Sequence, residues 1–172
     1  MTTTTSTTFV DSIIPAANMS LGYLLSLAED IPADRWADKA IDGMNHPAFL
    51  YGHLAIYGNR MLEFIGRSDL VNEVPFDAEK VAAGSECQDD ASLYPTKDVV
   101  LPYLKERYET VIATLPSVDP EVFTKENPVE GRFREMLPTI GAVAVFMLNN
   151  HVMMHAGQIS HWRRAIGLGP VM

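Results

Sequence analysis

Three histidines stand where their side chains could do chemistry together: His53, His151 and His155. His151 and His155 are four residues apart. On an α-helix that spacing projects two imidazoles from one face, about 6 Å apart along the axis. Both can then reach one ion at about 2.0–2.1 Å each. The spacing is a short motif that also arises by chance, so the surroundings matter. Ala144, Met147, Leu148, His151, His155, Gln158 and Trp162 fall on one side of a helical pattern, and the two histidines interrupt a core-facing stripe. His53 interrupts a second stripe between Leu50 and Tyr57. A buried neutral imidazole needs partners for both ring nitrogens. A metal on one nitrogen and a hydrogen bond on the other would supply them. Alternatively, each ring is a core histidine bonded to a carbonyl or carboxylate, and the pattern accommodates both readings. His46 and His161 lie about 10 and 9 Å along their helices from His53 and His155, too far to share an ion. His46, just before Pro47, reads as a helix-start residue, and His161 as a surface or interface residue.

Other reactive side chains are few. Tyr57 follows His53 by one turn and Arg60 by two, on the same face. Arg60 either binds an anionic part of a ligand or pairs with a carboxylate such as Glu63. Gln158 either orients a ligand or caps an interhelical hydrogen bond. Met147, Met153 and Met154 read as core filler rather than thioether ligands. Cys87, the one cysteine, excludes an intramolecular disulfide and a cysteine zinc site. Its neighbours Glu86, Asp89 and Asp90 raise a thiol's pKa, so it reads as a surface or loop cysteine and not as a nucleophile.

Positioning these groups falls to four helical segments. The first runs from between Phe9 and Pro15 to Ala28, with Pro15 either in the first turn or bending the helix. The second starts at Pro47, a favourable first position, and ends near Gly66. A long acidic connection follows, with a short extra helix expected around Asp77 to Ala83. The third helix has Thr96 as its N-cap candidate and carries Val100, Leu104, Tyr108, Val111 and Leu115. The fourth runs from Pro138 through Ala165, closed by Gly167 in the left-handed conformation. No segment alternates as a strand would, so the fold class is all-α, a four-helix bundle with a long loop or short extra helix after the second helix.

The 172 residues suit a single domain, 1–172, with 1–8 as a flexible tail. Apolar residues make up 47% and charged residues 20% of the chain, a globular composition. No run is long and apolar enough to span a membrane, and Met1 to Thr8 lacks the charge and apolar core of a targeting peptide, so a cytoplasmic location is expected. With 13 basic against 22 acidic residues and a net charge of −9, neither nucleic acid nor an acidic membrane is an expected partner.

The segment His151-Val-Met-Met-His155-Ala-Gly157-Gln158-Ile159, followed by Arg163-Arg164-Ala-Ile-Gly167, resembles the last-helix pattern of the DinB/YfiT-like superfamily of metalloenzymes. Gly52-His53-Leu54 resembles that family's second-helix ligand motif, and Trp36 fits a tryptophan often found in its first loop. Ala156 stands where many members have arginine, so no role tied to that arginine carries over. The resemblance implies a four-helix bundle, frequently a homodimer, with His53, His151 and His155 as metal ligands. It also implies a chemistry in which a low-molecular-weight thiol attacks an electrophilic small-molecule substrate. Three neutral histidines leave coordination positions open on zinc, nickel, iron or manganese, and Arg60, Tyr57 and Gln158 are the candidates for contacting thiol or substrate. The expected function is a thiol-dependent S-transferase; a thiol-dependent isomerase or hydrolase, or a non-catalytic metal-binding or interaction bundle, are the alternatives.

Overall fold

The computed structural model describes residues 8–171. Of the expected tail, residues 1–7 lie outside that range, whereas Thr8 is the N-cap of the first helix. Its hydroxyl accepts from the Asp11 amide, and the Asp11 carboxylate accepts from the Thr8 amide. This reciprocal pair satisfies two otherwise orphaned donors. Helix α1 covers Phe9–Ser26 with Pro15 inside it, beyond the first turn. Helix α2 is Pro47–Phe64 and α3 is Lys97–Thr114. A one-turn helix, α4 (Arg132–Met136), precedes α5 (Ile140–Val145), a π turn (Phe146–Asn150) and α6 (His151–Ala165), which run on as one rod. The bundle consists of α1, α2, α3 and the α5–α6 rod. Among the described residues the only β pairing is an isolated bridge between Glu126 and Thr139, and no helix is long and apolar enough to cross a membrane.

Helix α2 is the centre of this arrangement. It is buried on most sides, including Leu50, Tyr51, His53, Leu54, Ala55 and Met61. His46 starts it as expected, its Nδ1 accepting from the Phe49 amide at 3.1 Å. Gly58 lets α3 come close: a Cβ there would sit 2.6 Å from the Cβ of Arg107. Trp36 stacks on Tyr51 at 4.9 Å and donates its indole N–H to the Pro95 carbonyl, tying the first loop to the entry of α3. At the far end of α6, the buried guanidinium of Arg163 bonds Asp30 and the Leu27 carbonyl, which pins α6 to the end of α1. Gly167, at φ +86°, closes α6 as expected.

In several elements the structure departs from the sequence reading. Thr96 occupies the N-cap of α3 but its side chain makes no capping bond. The helix expected around residues 77–83 is a single 3-10 turn, Ala78–Val81, capped by Asp77. Val81 is its one buried side chain, too little apolar surface to support a longer helix. The fourth helix starts at Ile140, two residues after Pro138, because Thr139 is extended and its hydroxyl caps the Ala142 amide at 3.2 Å. It is also widened into the π turn, which no periodicity announces.

The α2–α3 approach leads to a stability prediction. Overpacking at Gly58→Ala costs about 1–3 kcal/mol, against about 1 kcal/mol regained in helix propensity. The net effect is a lower thermal midpoint by circular dichroism; an unchanged midpoint would show that α3 can move away at no cost.

Candidate metal centre

His53 lies in the middle of α2, His151 opens α6, and His155 follows one turn later. The three rings are buried and meet through the same atom. Nε2 of His151 is 3.1 Å from Nε2 of His53 and 3.0 Å from Nε2 of His155. The other ring nitrogens point elsewhere. Nδ1–H of His53 donates to the Val81 carbonyl at 2.7 Å, and Nδ1–H of His155 donates to Oε1 of Gln158 at 2.7 Å. Nδ1 of His151 is buried without a protein partner.

These contacts settle what the cluster can hold. A carbonyl oxygen only accepts, so His53 carries its proton on Nδ1 and, when neutral, presents a bare lone pair at Nε2. Bonded to Oε1, His155 does the same. Only His151 can bring a proton to the meeting point, and one N–H cannot serve both neighbours. At least one short N···N contact therefore opposes two lone pairs unless a cation lies between them. Among the described residues no carboxylate or cysteine joins the three imidazoles. An all-imidazole set suits zinc, nickel or iron, with manganese also within reach. The hydrogen bonds on the outer nitrogens of His53 and His155 are those that orient metal-bound histidines. The residues present fit a divalent ion.

The electrostatics agree. Burial pushes the imidazolium pKa of His53 and of His155 down. Burial, followed by the neighbouring His155 and His53, lowers that of His151 to about 3. All three are thus neutral ligands near pH 7. The desolvating wall is aromatic: Tyr57 stands edge-on to His53 at 5.0 Å and to His151 at 5.1 Å, Phe146 stacks on His151 at 5.3 Å, and Phe49 lies parallel to His53 at 6.1 Å.

Two local features of the chain create this geometry. Gly52 precedes His53, and a Cβ on it would lie 2.9 Å from Cγ1 of Val81. Its absence lets the Ala78–Val81 turn settle on α2, so that the Val81 carbonyl reaches His53. The π turn adds one residue ahead of His151, which shifts the phase of α6 against α5 by about 100°. Helix α5 can then pack Gly141 against the backbone of Phe123, while α6 aims His151 and His155 at α2.

Of the other residues singled out in the sequence, Tyr57 touches two of the imidazoles and Gln158 orients His155 from an exposed position. Arg60 is not brought to the cluster: it is exposed, pairs with Glu63 at 3.3 Å and lies over the Phe64 ring. His161 is exposed, and His46 is a buried cap whose Nε2 meets the Gln88 carbonyl. Cys87 sits in a loop as expected but is buried; its thiol pKa is raised first by burial, with Asp89 only a minor contributor. Sequence reasoning missed Val81, Phe49, Phe146 and the role of Gly52. Val81 acts through its carbonyl, which no residue type reveals; the glycine next to His53 was the one visible signal.

Three outcomes follow. His53→Ala loses most metal affinity, measured by competition with a chelator, while helical circular dichroism persists; unfolding would mark the residue as chiefly a packing element. Gly52→Ala displaces Val81 and weakens metal binding by about 10–100-fold, and full affinity in that variant would disconnect the turn from the site. For the metal-free protein, the unfolded chain protonates its histidines near pH 6.5, whereas folded His151 resists down to about 3. The unfolded state binds more protons in that window, so stability is fully present above about pH 6.5 and drops as pH falls towards 3. Urea unfolding at several pH values reads this slope, and His151→Leu should flatten it.

The family profile of the DinB superfamily matches residues 19–159, a span that includes all three histidines and Gln158. Comparison with curated proteins and with solved structures returned no match. A helical bundle, three converging imidazoles and a family match over most of the chain point the same way: this chain belongs to the DinB superfamily.

Proposed function

We propose that this protein is a metal-dependent enzyme that joins a low-molecular-weight thiol to an electrophilic small molecule. The observation that carries the reading is the convergence of three neutral imidazoles on one point with no carboxylate or cysteine completing the set. Protein ligand sets of three are those of catalytic rather than structural sites. A divalent ion held there, whether zinc, nickel, iron or manganese, would lower the pKa of a thiol that takes an open position.

The chain's own residues define the rest. Val81 and Gln158 hold the rings of His53 and His155 in the orientation that exposes Nε2. Phe49, Phe146 and Tyr57 pack their rings against His53 and His151 and desolvate them. Burial raises the phenol pKa of Tyr57, so it remains a hydroxyl donor at neutral pH, suited to a polar atom of the thiol or substrate. Arg60 is held by an exposed ion pair with Glu63 and by its stacking over the Phe64 ring. Such pairs contribute little, so its guanidinium is available to an anionic group on an incoming molecule. The thiol comes from outside the chain in this reading, because burial disfavours the thiolate of Cys87 and Cys87 is not part of the histidine group.

Cobalt substitution tests the proposal. The cobalt protein, titrated with cysteine, glutathione or another small physiological thiol, should develop a sulfur-to-cobalt charge-transfer band and a changed visible spectrum. Cobalt binding without any thiol-dependent change would leave a metal-binding bundle and remove the thiol chemistry.

A further inference from the structure

The metal centre uses one side of Gln158 and leaves the other side free. Its Oε1 accepts from His155 at 2.7 Å. That bond fixes the amide, so the two N–H groups on Nε2 turn away from His155, and among the described residues they meet no acceptor. The same side chain lines a cleft of about 420 Å³, formed between the first loop at Met44 and Asn45 and helix α6 at Met154, Gly157 and His161. Asn45 and His161 also make no side-chain hydrogen bond to another described residue. Three polar side chains thus border one cleft, and no Asp, Glu, Lys or Arg lines it. Gly157 helps to keep it open. A glycine inside a helix is unfavourable, yet a Cβ at Gly157 would meet nothing within 4 Å. Gly52, Gly58 and Gly141 each admit a neighbouring part of the chain; Gly157 admits none. The space beside it belongs to the cleft.

We propose that this cleft binds a carboxylate of the molecule on which the metal centre acts, and that Gln158 couples its occupancy to the metal. The donor inventory selects the ligand. Gln158 and Asn45 can each present two N–H groups and His161 at least one, while the Gln158 oxygen is engaged with His155. A carboxylate offers about four acceptor positions and no donor. An amide or alcohol brings a donor of its own, for which the Asn45 oxygen is the main remaining acceptor. Phosphate is less suited, because it is recognised chiefly by Arg and Lys, and neither lines the cleft. In a chain of net charge −9, a lining without acids spares an anion direct repulsion. Met44 and Met154 supply apolar sides for a carbon skeleton. The cleft is also close to the histidines: Gln158 lies about 4.5 Å along the helix from His155, and His161 about 9 Å. A small molecule with one end at the histidines can place its carboxylate here. A carboxylate on Nε2 polarises the amide and strengthens the bond from Oε1 to His155, which makes His155 a better ligand. The effect is reciprocal, so metal also tightens the carboxylate. The proposal rests on reading the three histidines as a metal centre, and not on the thiol chemistry.

An NMR titration of the full chain, metal-free and zinc-loaded, tests it with 3-(methylthio)propionate, a carboxylate whose sulfur is blocked. The Gln158 side-chain amide and the His161 ring signals should shift and saturate in both forms, at least about fivefold more tightly with zinc. The methyl ester and inorganic phosphate should each bind at least about tenfold more weakly. Gly157→Leu fills the cleft and should weaken carboxylate binding by at least about tenfold, while helical circular dichroism and zinc affinity, measured against a chelator, persist. If that variant fails to fold, Asn45→Leu combined with His161→Phe decides by the same measurement. The proposal is overturned by the absence of a saturable shift, by an ester or phosphate that binds as well, or by an affinity indifferent to zinc. Carboxylate binding that survives the cleft substitutions lies on the metal itself and overturns it too. The cobalt protein then tells which reactant carries the group. If 3-mercaptopropionate gives the thiol-dependent band at a concentration at least about tenfold below that of 3-mercapto-1-propanol, the carboxylate is on the thiol; equal concentrations place it on the electrophile. Loss of the band removes the thiol chemistry alone, and loss of the NMR shifts removes the cleft alone.

Discussion

Three imidazole nitrogens converge inside an aromatic wall, and much of the architecture serves to hold them there. Without a cation these nitrogens, 3.0–3.1 Å apart, cannot all be satisfied, because His53 and His155 present bare lone pairs and neutral His151 brings at most one N–H. The arrangement persists because the outer nitrogens of His53 and His155 are anchored from outside the cluster, one by a backbone carbonyl and one by a side chain. A cation at the meeting point turns the least favourable feature of the core into its best-satisfied one.

That demand explains why α2 is so thoroughly enclosed. It carries one ligand and must be held at a definite depth and rotation. The close contact at Gly58 sets its distance from α3, the Val81 turn covers the face beside Gly52, and Trp36 stacks on Tyr51 a little towards its start. The other two ligands need α6 at a fixed rotation as well. Arg163 holds its far end through Asp30 and Leu27, and the π turn sets its phase at the near end. A π turn is a poor hydrogen-bonding arrangement by itself and is found mostly at functional positions. Here it comes immediately before His151, and its first residue, Phe146, stacks on that ring.

The same economy shapes the chemistry. A set of three neutral donors would leave the full charge of a divalent ion for whatever binds in its open positions. The surrounding apolar wall strengthens that effect by lowering the local dielectric.

How much of this is legible before folding can be judged residue by residue. The helices at Pro47, Lys97 and the C-terminus follow from apolar spacing, from Pro47 at a first position and from Gly167 at a last one, because these are local rules of backbone geometry. The candidate ligands were visible for the same reason: a histidine within a stripe of buried residues is conspicuous, and a four-residue spacing places two on one face. What the sequence could not decide was the choice between a metal triad and three unrelated core histidines, since that depends on whether α2 and α6 bring rings 98 residues apart to within 3.1 Å. Nor could it reveal that Val81 acts through its carbonyl, that Arg60 turns to Glu63, or that Phe146–Asn150 widens into a π turn. Side-chain type and period are local properties; backbone carbonyls are common to every residue, and helix phase is set by the competing packing of α5 and α6. Only tertiary structure could resolve them.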